Sequence, residues 1–158
     1  MHKTQKRRRV EYKTDYQARF SFLKSEKPRL VVIKSNRYII AQIVQSNLAQ
    51  DKVIASVNSK QLLEQGWPKE KEGSLKSLHA AYLTGFFLAK NVKGKVKEVF
   101  LDSGLYRNIR GSRIYAAVKG AIDGGLVVPH DKGVLPSEER LKTNKNLYNL
   151  VEKIKEKL

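Results

Sequence analysis

The chain has no cysteine. That excludes disulfides, zinc–thiolate sites and cysteine nucleophiles, and it suits a reducing compartment. No apolar run reaches the roughly 18–20 residues that a membrane-spanning helix needs. The first residues are basic with no apolar stretch behind them, so the N-terminus does not read as a secretory signal. No Gly-x-x-x-x-Gly-Lys-Ser/Thr loop and no Gly-x-Ser-x-Gly elbow occurs, which argues against P-loop nucleotide chemistry and the α/β-hydrolase type of catalysis. His2, His79 and His130 have no spacing that suggests a metal site. Nothing calls for a metal, a cofactor or a small-molecule substrate. Acidic residues are scarce as well.

What is present is positive charge. Thirty-two Lys and Arg stand against fifteen Asp and Glu, a net of +17 over 158 residues. An imbalance of this size points to an extended polyanion as partner. Residues 1–38 hold twelve basic and three acidic residues, a net of +9, so about a quarter of the chain carries more than half of the excess. The 41% apolar content is enough for one core, so one compact domain with tails is expected.

Pro28 to Val57 organises the rest. Val- and Ile-rich runs alternate with polar breaks, the pattern of consecutive hairpins. Three antiparallel strands are expected at about 29–34, 37–46 and 52–57, with turns at Ser35-Asn36 and near Asn47 to Asp51. Alternation puts Leu30, Val32, Ile39, Ala41, Ile43, Val53, Ala55 and Val57 on the core face. The opposite face is mixed, as in a sheet with helices on one side and a partner on the other.

Residues 1–13 have no apolar periodicity and six basic side chains, so this arm is expected to be unstructured when free. Lys3, Lys6, Arg7, Arg8, Arg9 and Lys13 suit phosphates, and Tyr12 and Tyr16 suit base stacking. The competing reading of the arm is a solvated basic tail or a localisation signal. Residues 14–25 read as a helix capped by Thr14 or Asp15, with Tyr16, Phe20 and Leu23 packed on the sheet. A helix from Asn58 to Gln65 follows the third strand, and Trp67 reads as a packing anchor ahead of a charged loop, 69–73. Ser74 would cap a long apolar helix, 75–91, in which Gly85 implies a close backbone approach to the sheet. His79 on this helix reads as a satisfied packing residue.

Lys95 to Asp102 reads as a fourth strand, parallel to an earlier one because it follows a helix. Ser103 to Gly111 is a loop, and Ser112 starts a helix over 113–123. A helix start flanked by Arg107, Asn108, Arg110, Ser112 and Arg113 reads as a second phosphate-binding surface, against the alternative of ordinary loop solvation. Asp123 to Asp131 is a Gly-broken turn into a short strand-like run. Ser137 would cap a helix, and 145–158 form an amphipathic C-terminal helix of low net charge that docks on the domain or on a protein neighbour.

The expected fold is thus α/β. Three antiparallel strands and a parallel fourth carry packed helices, with a basic arm (1–13), a body (14–135) and a C-terminal helical extension (136–158). This order resembles the ribonuclease H-like arrangement, which makes a metal-dependent nuclease the enzyme alternative. Two-metal phosphoryl transfer needs clustered carboxylates. The first strand has none, and Asp102 is the single well-placed candidate.

Several motifs together resemble one known family. They are Pro28 to Tyr38, Ala81-Tyr-Leu-Thr-Gly85, Leu101-Asp-Ser-Gly-Leu105 and Gly120 to His130. In this order they are similar to the archaeal/eukaryotic-type ribosomal large-subunit protein eighteen family. The likeness covers about residues 5–135 and is weaker after about 140. It implies a cytoplasmic ribosomal protein that attaches 5S ribosomal RNA to 23S ribosomal RNA in the central protuberance. It also implies neighbouring large-subunit proteins as partners, and the ribonuclease H-like fold without nuclease activity. It makes the arm from Lys3 to Arg19 a main RNA-binding element. Arg29, Lys34, Ser35, Asn36, Arg37 and Tyr38, on the first strand and the hairpin tip, would add backbone and sugar contacts. A basic RNA- or DNA-binding protein outside the ribosome is the other non-enzymatic reading.

Overall fold

A computed structural model describes residues 4–47, 50–131 and 133–157. Its centre is a four-stranded sheet of order β3-β2-β1-β4. The strands are β1 (Arg29–Lys34), β2 (Ile39–Asn47), β3 (Gln50–Asn58) and β4 (Phe100–Asp102). β1–β2 and β2–β3 are antiparallel, and β4 runs parallel to β1. The first three strands fall where the Val/Ile runs lie. The two residues joining β2 to β3, Leu48 and Ala49, lie outside the described residues.

The core face follows the alternation with one correction. Leu30, Val32, Ile39, Ala41, Ile43 and Val57 are fully or almost fully buried, but Val53 is 50% exposed. A β-bulge lies between Ile43 and Val44, so Ile43 pairs with Ala55 while Val44 pairs with Val53. The extra residue moves Val53 to the opposite face. The fourth strand is shorter than expected. Lys97 to Val99 instead pair with Val127, through Val99 N–H to Val127 O (3.0 Å) and Val127 N–H to Lys97 O (2.9 Å).

Among the described residues, six α-helices accompany the sheet: α1 (Arg7–Val10), α2 (Tyr16–Ser25), α3 (Leu78–Val92), α4 (Arg113–Asp123), α5 (Glu138–Lys142) and α6 (Lys145–Lys157). α3 lies on the core face against β2 and β3, with α4 and α6 packed on it. Its Gly85 is a correction. A Cβ there would stand 1.9 Å from Ala117 O of α4, and a Cβ on Gly120 would stand 1.9 Å from Tyr82 O. The close approach is between two helices, not between helix and sheet. α3 also starts later than expected. Ser74 spends its hydroxyl on Lys71 O (2.6 Å), which closes a 3₁₀ turn over Lys69–Ser74 where a loop was expected, and Ser77 caps the helix through Ala80 N–H.

The segment after β3 is a 3₁₀ helix, Ser59–Leu63, with the Asn58/Gln61 capping box in place. Trp67 is buried, and its indole N–H donates to Lys71 O at 3.1 Å, so it anchors the loop. His79 is buried with Nε2 2.7 Å from Leu141 O, so Nε2 carries the proton and ties α3 to α5. Leu141, Val151 and Ile154 of the C-terminal segment join the same buried cluster as the sheet face.

Candidate nucleic-acid interface

The outer face of the sheet is where the arm comes down. Asp15 caps α2 by accepting from Gln17 and Ala18 N–H. The expected inward stripe does not hold: Phe20 is 59% exposed and no residue of α2 is fully buried. Ala18, Arg19 and Phe22 instead face the β1 side chains Arg29, Val31 and Ile33 across a cleft. An ion pair sets this rotation, with Arg19 donating to Asp51 Oδ2 at 2.9 Å.

Arg29, expected on the RNA-facing side of β1, is the hub of that face. Its side chain is buried to 9% exposure, and it donates to Asp51 Oδ2 and to Asp102 Oδ2, both at 2.8 Å. A guanidinium fork can bridge two carboxylates in this way. These pairings tie β3, β1 and β4 together. Burial raises the Asp51 carboxyl pKa, but the Ser46 hydroxyl and the Arg29 and Arg19 charges outweigh it, and the net shift is downward. The same geometry bears on the nuclease alternative. Asp102 is neutralised by Arg29, and Asp123 accepts from the Tyr82 hydroxyl at 2.6 Å.

Lys3 lies outside the described residues. Arg7–Val10 form one helical turn where no regular structure was expected, with nothing buried. Arg7 pairs with Glu11 (3.5 Å), Lys13 with the same carboxylate (2.7 Å), and Arg8 donates to Thr14 Oγ1 (2.9 Å). These local bonds give the turn its shape while Arg7, Arg8 and Arg9 stay exposed. Tyr12 is 87% exposed. Tyr16 differs: it is half-buried, and Lys6 sits 4.5 Å over its ring, so one face is already taken.

At the hairpin tip, Ser35 both donates to Tyr38 O (2.8 Å) and accepts from Tyr38 N–H (2.9 Å). Its hydroxyl closes the turn, and the Tyr38 ring packs against the core. Lys34, Asn36 and Arg37 remain exposed. The tip is tied to the next loop by Tyr106, whose hydroxyl donates to Lys34 O at 3.0 Å.

That loop, Ser103 to Gly111, is a ridge between two basic clefts. On one side Ser103, Gly104 and Leu105 share the arm cleft with Arg8, Lys13 and Arg19. On the other, Arg107 and Ile109 share a cleft of about 590 Å³ with Lys34, Ser112 and Arg113. The expected convergence at the α4 start is therefore seen for Arg107 and Arg113. Arg110 and Asn108 are exposed on the ridge but do not line this cleft. Arg140, which the sequence reading passed over, does line it. Its guanidinium reaches Gly111 from α5, where a Cβ on Gly111 would stand 2.8 Å from it. Only the tertiary fold brings Arg140 here, and no local pattern marks it.

A family model described as "Ribosomal large subunit proteins 60S L5, and 50S L18" matches residues 1–99 and 93–131. Large ribosomal subunit protein uL18 of Korarchaeum cryptofilum is 44% identical over 156 residues, 98% of this chain and 77% of the relative. Its counterpart in Methanothermobacter thermautotrophicus is 44% identical over 137 residues, 86% of this chain and 69% of the relative. That of Aeropyrum pernix is 41% identical over 138 residues, 86% of this chain and 63% of the relative. The chain belongs to the family of ribosomal large subunit proteins 60S L5 and 50S L18.

Proposed function

We propose that this protein is a structural constituent of the large subunit of the cytoplasmic ribosome that binds 5S ribosomal RNA and helps attach it to 23S ribosomal RNA in the central protuberance. The arm folds onto RNA, and its Lys and Arg replace condensed counterions. The ridge and hairpin tip add shape-dependent contacts to sugars and unpaired bases. The exposed side chains that carry the reading are Arg7, Arg8, Arg9 and Tyr12 of the arm, Asn36 and Arg37 of the tip, Arg107 and Arg110 of the ridge, and Arg113 at the start of α4. The observation that supports it most is the ridge itself. One loop separates two cation-lined clefts, so two RNA segments can be held side by side. Neighbouring large-subunit proteins are the expected protein partners.

Charge reversal tests this. Arg107, Arg110 and Arg113 changed together to Glu should weaken binding of 5S or 23S ribosomal RNA, or incorporation into subunits, while the fold stays intact. Unchanged binding of both RNAs together with normal incorporation would contradict the bridging role.

A further inference from the structure

The cleft beyond the ridge has a composition and a place in the fold that ask for more than a passing backbone phosphate. It lies at the carboxyl end of β1, whose last residue Lys34 lines it, and beside the loop that follows β4, a kind of place where ligands gather in α/β sheets. Lys34, Arg107, Arg113 and Arg140 line it, and no carboxylate does. No acidic side chain pairs with any of these four among the described residues.

The floor is the start of α4. This helix of eleven residues has no side-chain cap hydrogen bond from Ser112, which leaves its first amides without that partner. Ser112 lines the cleft too, and its Oγ is buried without a hydrogen-bond partner among the described residues. A buried hydroxyl left unpaired is costly, and an incoming acceptor removes the cost. The rest of the lining holds Leu78, Ile109, Ile114 and the Tyr106 ring, with Ser77, His79 and Thr143 beside them. Cations and amides together with apolar and aromatic side chains match a nucleotide, with phosphate at the α4 start and base along those side chains. A paired helix presents its phosphates on a convex surface and keeps its bases stacked inside, so it cannot fill a recess of about 590 Å³.

We infer that this cleft clamps a single unpaired nucleotide of the bound RNA, and that Arg140, from the C-terminal segment, closes the clamp. The inference rests on the RNA-binding reading and gives that reading a second site of defined chemistry. Arg140 lies on the Gly111 backbone, a position that the positive φ of +64° at Gly111 and its missing side chain leave open.

The test uses the full chain and two probes, a short single-stranded RNA of mixed sequence and a fully paired RNA duplex with the same number of phosphates. Arg140→Ala and Arg113→Ala are each compared with the wild type, and Lys142→Ala serves as a nearby charge control outside the cleft. Loss of a hydrogen bond to a charged group predicts about tenfold weaker binding of the single strand. Duplex affinity should change no more than in the Lys142→Ala control. Arg140→Lys should recover only part of the loss, since an ammonium lacks the fork. Both cleft residues are exposed, so folding should be intact, which circular dichroism checks. Equal losses for both probes would reduce the cleft to unspecific charge and overturn the inference, as would no loss for either. If the wild type binds both probes but shows no preference for 5S ribosomal RNA, the RNA-binding reading fails in its specific form, and the clamp is judged on its own result.

Discussion

Among single residues, Arg29 shows most clearly how sequence and structure part. In the sequence it is one more cation beside a Val/Ile run. In the structure it is buried between Asp51 and Asp102, which come from strands far apart in the chain. Nothing local announces that pairing, because β3 and β4 meet β1 only through the sheet. Arg29→Ala would leave both carboxylates without their partner and should cost about 1.5–3 kcal/mol. Urea unfolding would measure this, while RNA affinity of the folded variant should stay within about twofold, on the order of 0.4 kcal/mol. Asp51 adds a pH dependence. Its folded pKa lies below its ordinary value, so its contribution is present above the unfolded pKa and is lost as pH falls through the folded one. The stability gap between wild type and Asp51→Asn should therefore be full near neutrality and vanish below the carboxylate range. A gap that is constant on acidification would contradict the Arg19–Asp51–Arg29 network. Tyr82 bears on the opposite limb. Burial, then its bond to Asp123, raises its pKa, so its contribution is present below the ordinary tyrosine value and is lost as pH rises beyond it.

Elements were legible to the extent that their signals are local. The β1, β2 and β3 runs, the Asp15 cap, the Asn58/Gln61 box and the 113–123 helix stand where their residues place them. Signals that depend on a neighbour were not legible. The bulge that exposes Val53 needs the β2 partner, and the rotation of α2 needs the Arg19–Asp51 pair. Gly85 is intermediate: its presence inside an apolar helix announces a close approach, but only the fold names Ala117 as the group approached. Two helices meeting at Gly85 and Gly120 make a contact that tolerates no Cβ without a shift of backbone. Gly85→Ala should destabilise by about 1–3 kcal/mol or more, the range of core overpacking. Gly73→Ala, with nothing within 4 Å, should be near neutral. Thermal unfolding of the two variants reads both. Equal midpoints would mean that α3 and α4 are not packed as described.

For the molecule as a whole, the charge was legible at once and its arrangement was not. A net of +17 already pointed to a polyanion. The sequence suggested an arm and a separate second surface. The fold sets them on either side of one loop at one end of the sheet and adds Arg140 from the C-terminal segment. Charge alone, however, binds any RNA. The claim that goes further is shape-specific recognition, and salt separates the two. Counterion release gives an affinity that falls steeply with salt whatever the RNA. Specific contacts to unpaired bases and sugars survive better. The most direct measurement is binding of the full chain to 5S ribosomal RNA and to an unrelated structured RNA of equal length across a salt series. Shape-specific recognition predicts a preference for 5S RNA of about 100-fold or more that persists at moderate salt. Equal affinities that collapse together as salt rises would contradict it.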